Sequence, residues 1–112
     1  MMLNVMDPND LRNTLIGLPA VTEEEPFAPD VIVYKVLEKM YALSAYENPL
    51  TVNLKCDPDR AVALRNLYEA VNPGYHMNKK HWNTVLIDGS IADSKIRAMI
   101  SDDGKNVDSA LP

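Results

Sequence analysis

The stretch from Tyr75 to Asn83, Tyr-His-Met-Asn-Lys-Lys-His-Trp-Asn, gathers most of the groups in this chain that could recognise a ligand. Lys79 and Lys80 can neutralise phosphates, and each phosphate neutralised releases counterions. His76 and His81 can donate to phosphate oxygens or base edges. Tyr75 and Trp82 offer faces on which unpaired bases stack. Asn78 and Asn83 carry amides that pair with base edges, adenine above all. From Val71 to Ile87 there is no acid, so the segment is locally basic. Each residue type also has a structural use. Trp82, the single tryptophan, adjoins an apolar strand, which predicts a core position. Tyr75 beside Pro73-Gly74 would pack the turn, and lysines at a loop tip keep it soluble.

Other chemistry finds less support. His76 and His81 bracket a four-residue loop and could share an ion. Two nitrogens fall short of the three or more protein ligands that zinc takes, so neither a metal nor another cofactor is expected. There is no G-x-S-x-G, no phosphate-binding glycine loop and no H-E-x-x-H. Asp57 and Asp59 look like a carboxylate pair. Asp57 before Pro58 reads as a helix cap, however, and an acid in the first helical turn is favoured by the helix dipole. Arg60 and Arg65 read as the solvated face of that helix. Cys56 reads as a small core residue, since no neighbour in sequence marks it as a low-pKa thiol. No enzymatic activity is expected.

The chain has 112 residues, 46% of them hydrophobic, with 16 acids, 11 bases and one cysteine. That length closes one core and predicts a single domain over 1–112. One cysteine excludes an internal disulfide and a multi-thiolate zinc site, and fits a reducing, cytoplasmic location. No signal peptide or membrane span is read, since the apolar run Val31 to Val36 is far below the roughly 20 residues that a span needs. The net charge of −5 argues against indiscriminate coating of nucleic acid. Residues 1–30 hold six acids and one base, whereas 31–92 hold six acids and seven bases. The acidity is therefore mostly N-terminal.

Asp7-Pro8 predicts a helix start, with Leu11, Leu15 and Leu18 at helical spacing and Pro19 ending it. Pro19 to Asp30 reads as a loop with the Glu23-Glu24-Glu25 run, Phe27 being its core anchor. Val31 to Leu37 and Met40 to Tyr46 read as strands joined at Leu37-Glu38-Lys39, without the glycine a tight turn prefers. Thr51 to Cys56 alternates: Val52, Leu54 and Cys56 face a core, and Thr51, Asn53 and Lys55 face water. A second helix follows Asp57-Pro58, with Ala61, Leu64, Leu67, Tyr68 and Val71 as its apolar stripe. Pro73-Gly74 breaks it. Tyr75 to His76 and His81 to Ile87 read as the last strands. Ser90 to Asp93 has capping-box form before a third helix carrying Ile96, Met99 and Ile100. Beyond Ser101, the run Asp102, Asp103, Gly104 and Asn106 predicts that the helix fades and that 102–112 frays. The order is α-β-β-β-α-β-β-α. It predicts a two-layer α+β domain with a five-stranded antiparallel sheet, helices on one face and the other face open.

Lys55-Cys56-Asp57-Pro58-Asp59-Arg60-Ala61 and Pro73 through Val85 resemble the two signature stretches of the MmcQ/YjbR family. Pro26 to Val31 and Leu86 to Ser90 resemble weaker flanking motifs, so the resemblance covers roughly residues 7–101. It implies a compact fold with a five-stranded antiparallel sheet, similar to that of type III secretion chaperones. The family is commonly labelled DNA-binding from a double-wing analogy, and the resemblance implies no enzymatic activity. Two departures stand out. Leu37-Glu38 occupies a hairpin where the family usually has glycines. Gly104, Asn106 and Asp108 stand where its last helix usually carries apolar residues.

Two partner classes remain open. DNA or RNA would meet the hairpin around 75–83, with Tyr75, His76, Asn78, Lys79, Lys80, His81, Trp82 and Asn83 as contacts and Lys55 and Lys35 on the open sheet face as flanking cations. A protein or peptide would use that face or a strand edge, as a secretion chaperone does. The acidic N-terminal region favours a basic partner of that kind. No membrane partner is expected. The oligomeric state is open, with a monomer favoured.

Overall fold

Asp7 opens helix α1 (Pro8–Ile16) as its type predicts. Its Oδ1 accepts the Asp10 amide at 2.8 Å, and the Asp10 carboxylate accepts the Asp7 amide in return at 3.4 Å. This reciprocal box satisfies two donors that the helix leaves unpaired. The structure, a computed structural model, describes residues 5–28, 31–46, 48–75 and 77–109. The expected anchoring of Phe27 falls on a side chain outside the described residues.

Six strands form one sheet, not five, in the order β1-β2-β3-β4-β6-β5, every neighbouring pair antiparallel. They are β1 (Val21–Ala28), β2 (Val31–Val36), β3 (Lys39–Ala45), β4 (Thr51–Lys55), β5 (Val71–Pro73) and β6 (Trp82–Leu86). The extra strand is β1, in the segment expected to be a loop. It is an edge strand, where charge and proline are tolerated because one side needs no partner. Its glutamates are also used: Glu23 takes Arg12 of α1 at 2.8 Å, and Glu24 takes Lys35 of β2 at 2.6 Å. A second correction concerns β5, which forms at Val71–Pro73 rather than at Tyr75 to His76.

Between β2 and β3 the chain turns on Leu37 and Glu38, with φ of 49° and 72°. Positive φ at both central residues is what a two-residue hairpin matched to strand twist requires, and glycine or asparagine usually supplies it.

Register sorts the side chains, because directly opposed residues of an antiparallel pair share a face. One face carries Tyr34, Ala42, Val52, Leu54 and Val85, all in the buried core with Leu11, Leu15, Ile96 and Ile100 from the helices. Helix α1 meets this face where Tyr41 Oη donates to Leu15 O. Helix α2 (Pro58–Leu67) meets it where Asn83 Nδ2 donates to Ala61 O at 3.2 Å. The opposite face carries Val33, Lys35, Leu43, Thr51, Asn53, Lys55, Trp82 and Thr84, and no helix among the described residues covers it. The alternation of Thr51 to Cys56 therefore holds. Asn53, expected to be exposed, is 9% exposed and accepts from Thr84 Oγ1 across the strand pair.

The helices depart from expectation at their ends. Asp57 occupies the cap position of α2, but its side chain makes no capping hydrogen bond. The helix stops at Leu67, which is 69% exposed instead of buried. Helix α3 (Asp93–Ser109) begins beyond Ser90, whose amide and hydroxyl bind Asp88 Oδ1 instead of capping. It then runs past Gly104. At Gly104 the helix lies close to Leu18 and Tyr41: a Cβ there would displace the end of the Leu18 side chain and stand 3.4 Å from the Tyr41 ring. Asp103, one residue earlier, is 1% exposed and bonded to Arg60 of α2. Arg60 is therefore a tie between two helices rather than part of a solvated face. Among the described residues no helix is long and apolar enough to cross a membrane.

Candidate nucleic-acid interface

Strands β5 and β6 pair only as far as Pro73 opposite Asn83, and the connection 74–81 closes the hairpin. Backbone bonds hold both of its ends. The Gly74 amide donates to Trp82 O at 2.8 Å, and the Cys56 amide, just after β4, donates to His81 O at 2.7 Å. Inside the loop Lys79 Nζ donates to Gly74 O at 3.1 Å, and Asn78 Oδ1 accepts the Lys80 amide at 2.9 Å. Glycine is required at 74 by close approach: a Cβ there would stand 2.7 Å from Trp82 Cβ and 3.1 Å from Met77 Cβ. The loop is a folded unit and not a slack tip.

Nine of the ten residues expected to contact nucleic acid are described, and they divide into three groups. Trp82 and Asn83 lie beneath the loop, 6% and 2% exposed. Burial removes the Trp82 ring from any stacking role, as expected, but the residue lies on the face opposite the main core cluster. The Asn83 amide is used on both sides, donating to Ala61 O and accepting from Arg65 Nε at 2.6 Å. It has no edge left for a base. Tyr75, Asn78, Lys79 and Lys80 are exposed and His81 half-buried, so the loop does bring these five together at the surface. Lys55 joins them, since it stands opposite Trp82 in the β4–β6 register and is half-buried. Lys35 does not. It lies on β2, separated from β4 by β3, and Glu24 both neutralises it and holds its ammonium above the ordinary lysine range. His76 lies outside the described residues.

One residue of the site escaped the sequence reading. Arg65, expected on a solvated face, donates from Nε to Asn83 Oδ1 and from Nη2 to the carbonyls of Lys79 and Trp82, the latter at 3.3 Å. A usable signal was present. Arg65 follows Ala61 by four residues, so both lie on one helical face, and Ala61 is buried.

Other chemistry is poorly served nearby. Burial, with Asp103 adding to it, pushes the Cys56 thiol up to about 11, which keeps it protonated and unreactive near neutral pH. Among the described residues no group of three or more His, Cys, Asp or Glu side chains could hold a metal. A shallow hollow at the Leu86 end of β6 is lined by Glu69, Ala70, Leu86, Asp88 and Ser90, away from the basic loop.

The overall fold recurs in known proteins. The YjbR family model matches residues 16–102. The chain belongs to the YjbR family. It is 35% identical over 102 residues to an Escherichia coli O157:H7 protein named uncharacterized protein YbdF, covering 87% of this chain and 84% of that one. It is 37% identical over 79 residues to the uncharacterized protein YjbR of Escherichia coli K12, covering 70% of this chain and 67% of that one. The crystal structure of Deinococcus radiodurans protein DR2400, with a DUF419 domain, superposes with a TM-score of 0.86 at 34% identity, over 97% of this chain and 84% of that one. A Pseudomonas syringae structure matches with a TM-score of 0.75 at 26% identity, over 88% of this chain and 96% of that one. The stretch from Pro73 to Val85 forms β5's end, the loop and most of β6.

Proposed function

We propose that this protein is a non-catalytic nucleic-acid-binding module that docks the loop 74–81 on the phosphate backbone. The observation that carries this reading is the anchored loop itself. It offers Lys79 and Lys80 at the surface, Lys55 at the same end of the sheet, and no acid between Val71 and Ile87. His81 can add a hydrogen bond. Trp82 and Asn83 are not contacts, so base-specific readout is weak and phosphate attraction dominates. About two to three phosphate contacts give a correspondingly shallow fall of log affinity with log salt, each contributing about 0.9 for duplex DNA.

Anisotropy titration of a labelled DNA duplex, at low and moderate salt, tests the reading. The Lys79→Ala, Lys80→Ala double variant should keep its circular dichroism and lose most affinity, with the salt slope reduced by about two. Wild-type affinity in a folded double variant would refute it.

A second reading rests on a different observation, the sheet face left uncovered by α1, α2 and α3. Leu43 and Met40 are half-buried there, and a protein or peptide partner would bury them. Such binding would resist salt and shift NMR signals on β3 and β4, leaving those of the loop unmoved.

A further inference from the structure

The guanidinium of Arg65 reaches the loop from beneath. Nε is bound to Asn83 Oδ1, and Nη2 to the carbonyls of Lys79 and Trp82. These acceptors come from both the apex and the base of the connection, so one planar group spans it. Asn83 is itself held to Ala61 O, which ties the assembly back to α2 a full turn before Arg65. All of these acceptors are neutral, and among the described residues no carboxylate lies within 4.0 Å of Arg65. Its charge therefore adds to the positive potential under Lys79 and Lys80 instead of being cancelled.

We propose that Arg65 is the positioning residue of this interface. Its guanidinium fixes the Lys79 and Trp82 carbonyls, so the loop presents its lysines in one arrangement before a ligand arrives. The inference rests on the nucleic-acid reading of the loop and adds how that site is pre-organised. Pre-organisation matters because ordering a loop on binding lowers affinity, whereas a loop already ordered has lost that entropy in folding. A lysine cannot substitute. It keeps the charge, but its single ammonium lacks the rigid fork that engages several acceptors at once.

Arg65→Lys is the test, read in two ways. In hydrogen exchange without DNA, the amides of Gly74 and His81 should exchange faster than in wild type. In the duplex titration, affinity should fall about tenfold with the salt slope unchanged, because the variant keeps the charge and loses only the order. Wild-type affinity in the variant would overturn the inference, as would unchanged exchange. If wild type shows no DNA affinity, the proposed function falls and exchange alone decides: faster exchange in the variant upholds the positioning role, and unchanged exchange overturns it. Should Arg65→Lys fail to fold, wild-type relaxation still decides. Order parameters of Lys79 and Lys80 near about 0.85 are expected, and values below about 0.6 would show a loop that Arg65 does not fix.

Discussion

Asp103 offers a test of which electrostatic effect governs the helix layer. It sits on α3 with 1% exposure and accepts from Arg60 Nη1. Arg60 remains 30% exposed and shares itself with Asp102 at 3.4 Å, itself 62% exposed. Burial therefore outweighs the guanidinium, with Asp102 adding like charge, and the Asp103 carboxyl is pushed from 3.8 up to about 7. Tyr41 on β3 and Cys56 after β4 also feel it, and both are held in their neutral forms mainly by burial. The folded value is raised, so this group's contribution to stability is complete below about pH 4 and is lost as pH rises through about 7. The full change corresponds to about 4 kcal/mol, of which about 3 kcal/mol falls between pH 5 and pH 8. Asp103→Asn removes the titration and leaves Arg60 an oxygen to bind. In urea unfolding at the two pH values, wild type should lose about 3 kcal/mol more than the variant, which becomes the more stable protein at pH 8. Breaking a buried pair by removing one charge otherwise costs about 3–5 kcal/mol. If the variant is weaker than wild type by that amount at pH 8, or if the two pH profiles run parallel, the ion pair dominates and the reasoning fails.

Leu37→Asn with Glu38→Gly should raise stability by about 1 kcal/mol, since these residues accept the positive φ values of the β2–β3 turn at lower cost. In thermal unfolding that is a gain of about 4–8 °C, and an unchanged Tm would mean the turn carries no strain. Gly74→Ala should do the opposite, because the added methyl meets a Cβ and a carbonyl that cannot rotate away. A loss of about 1–3 kcal/mol is expected, and a variant as stable as wild type would show that the loop does not pack on Trp82 as closely as described.

Much of the fold was legible because it follows local rules. The cap at Asp7 and the alternation through β4 each depend on residue type and a period of two or 3.6. The loop's basic character was legible by counting. Less legible were β1, with its glutamates and prolines, and the length of α3. In both, intrinsic preference opposed the outcome, and partners absent from the local window prevailed. Glu23 is stabilised by Arg12, eleven residues away, and Asp103 by Arg60, forty-three away.

The division between sequence and structure follows the range of each interaction. By itself the sequence determined an α+β domain, its main helix and strand starts, and a basic, acid-free segment from Val71 to Ile87. Only the tertiary structure decided which polar residues of that segment stay exposed. Lys79, Lys80 and His81 reach the surface. Asn83 is turned inward, held by Ala61 and by Arg65, eighteen residues before it. A polar side chain is exposed or buried according to whether a hydrogen-bonding partner replaces water. Here that partner comes from a helix distant in sequence, so no local pattern encodes the choice.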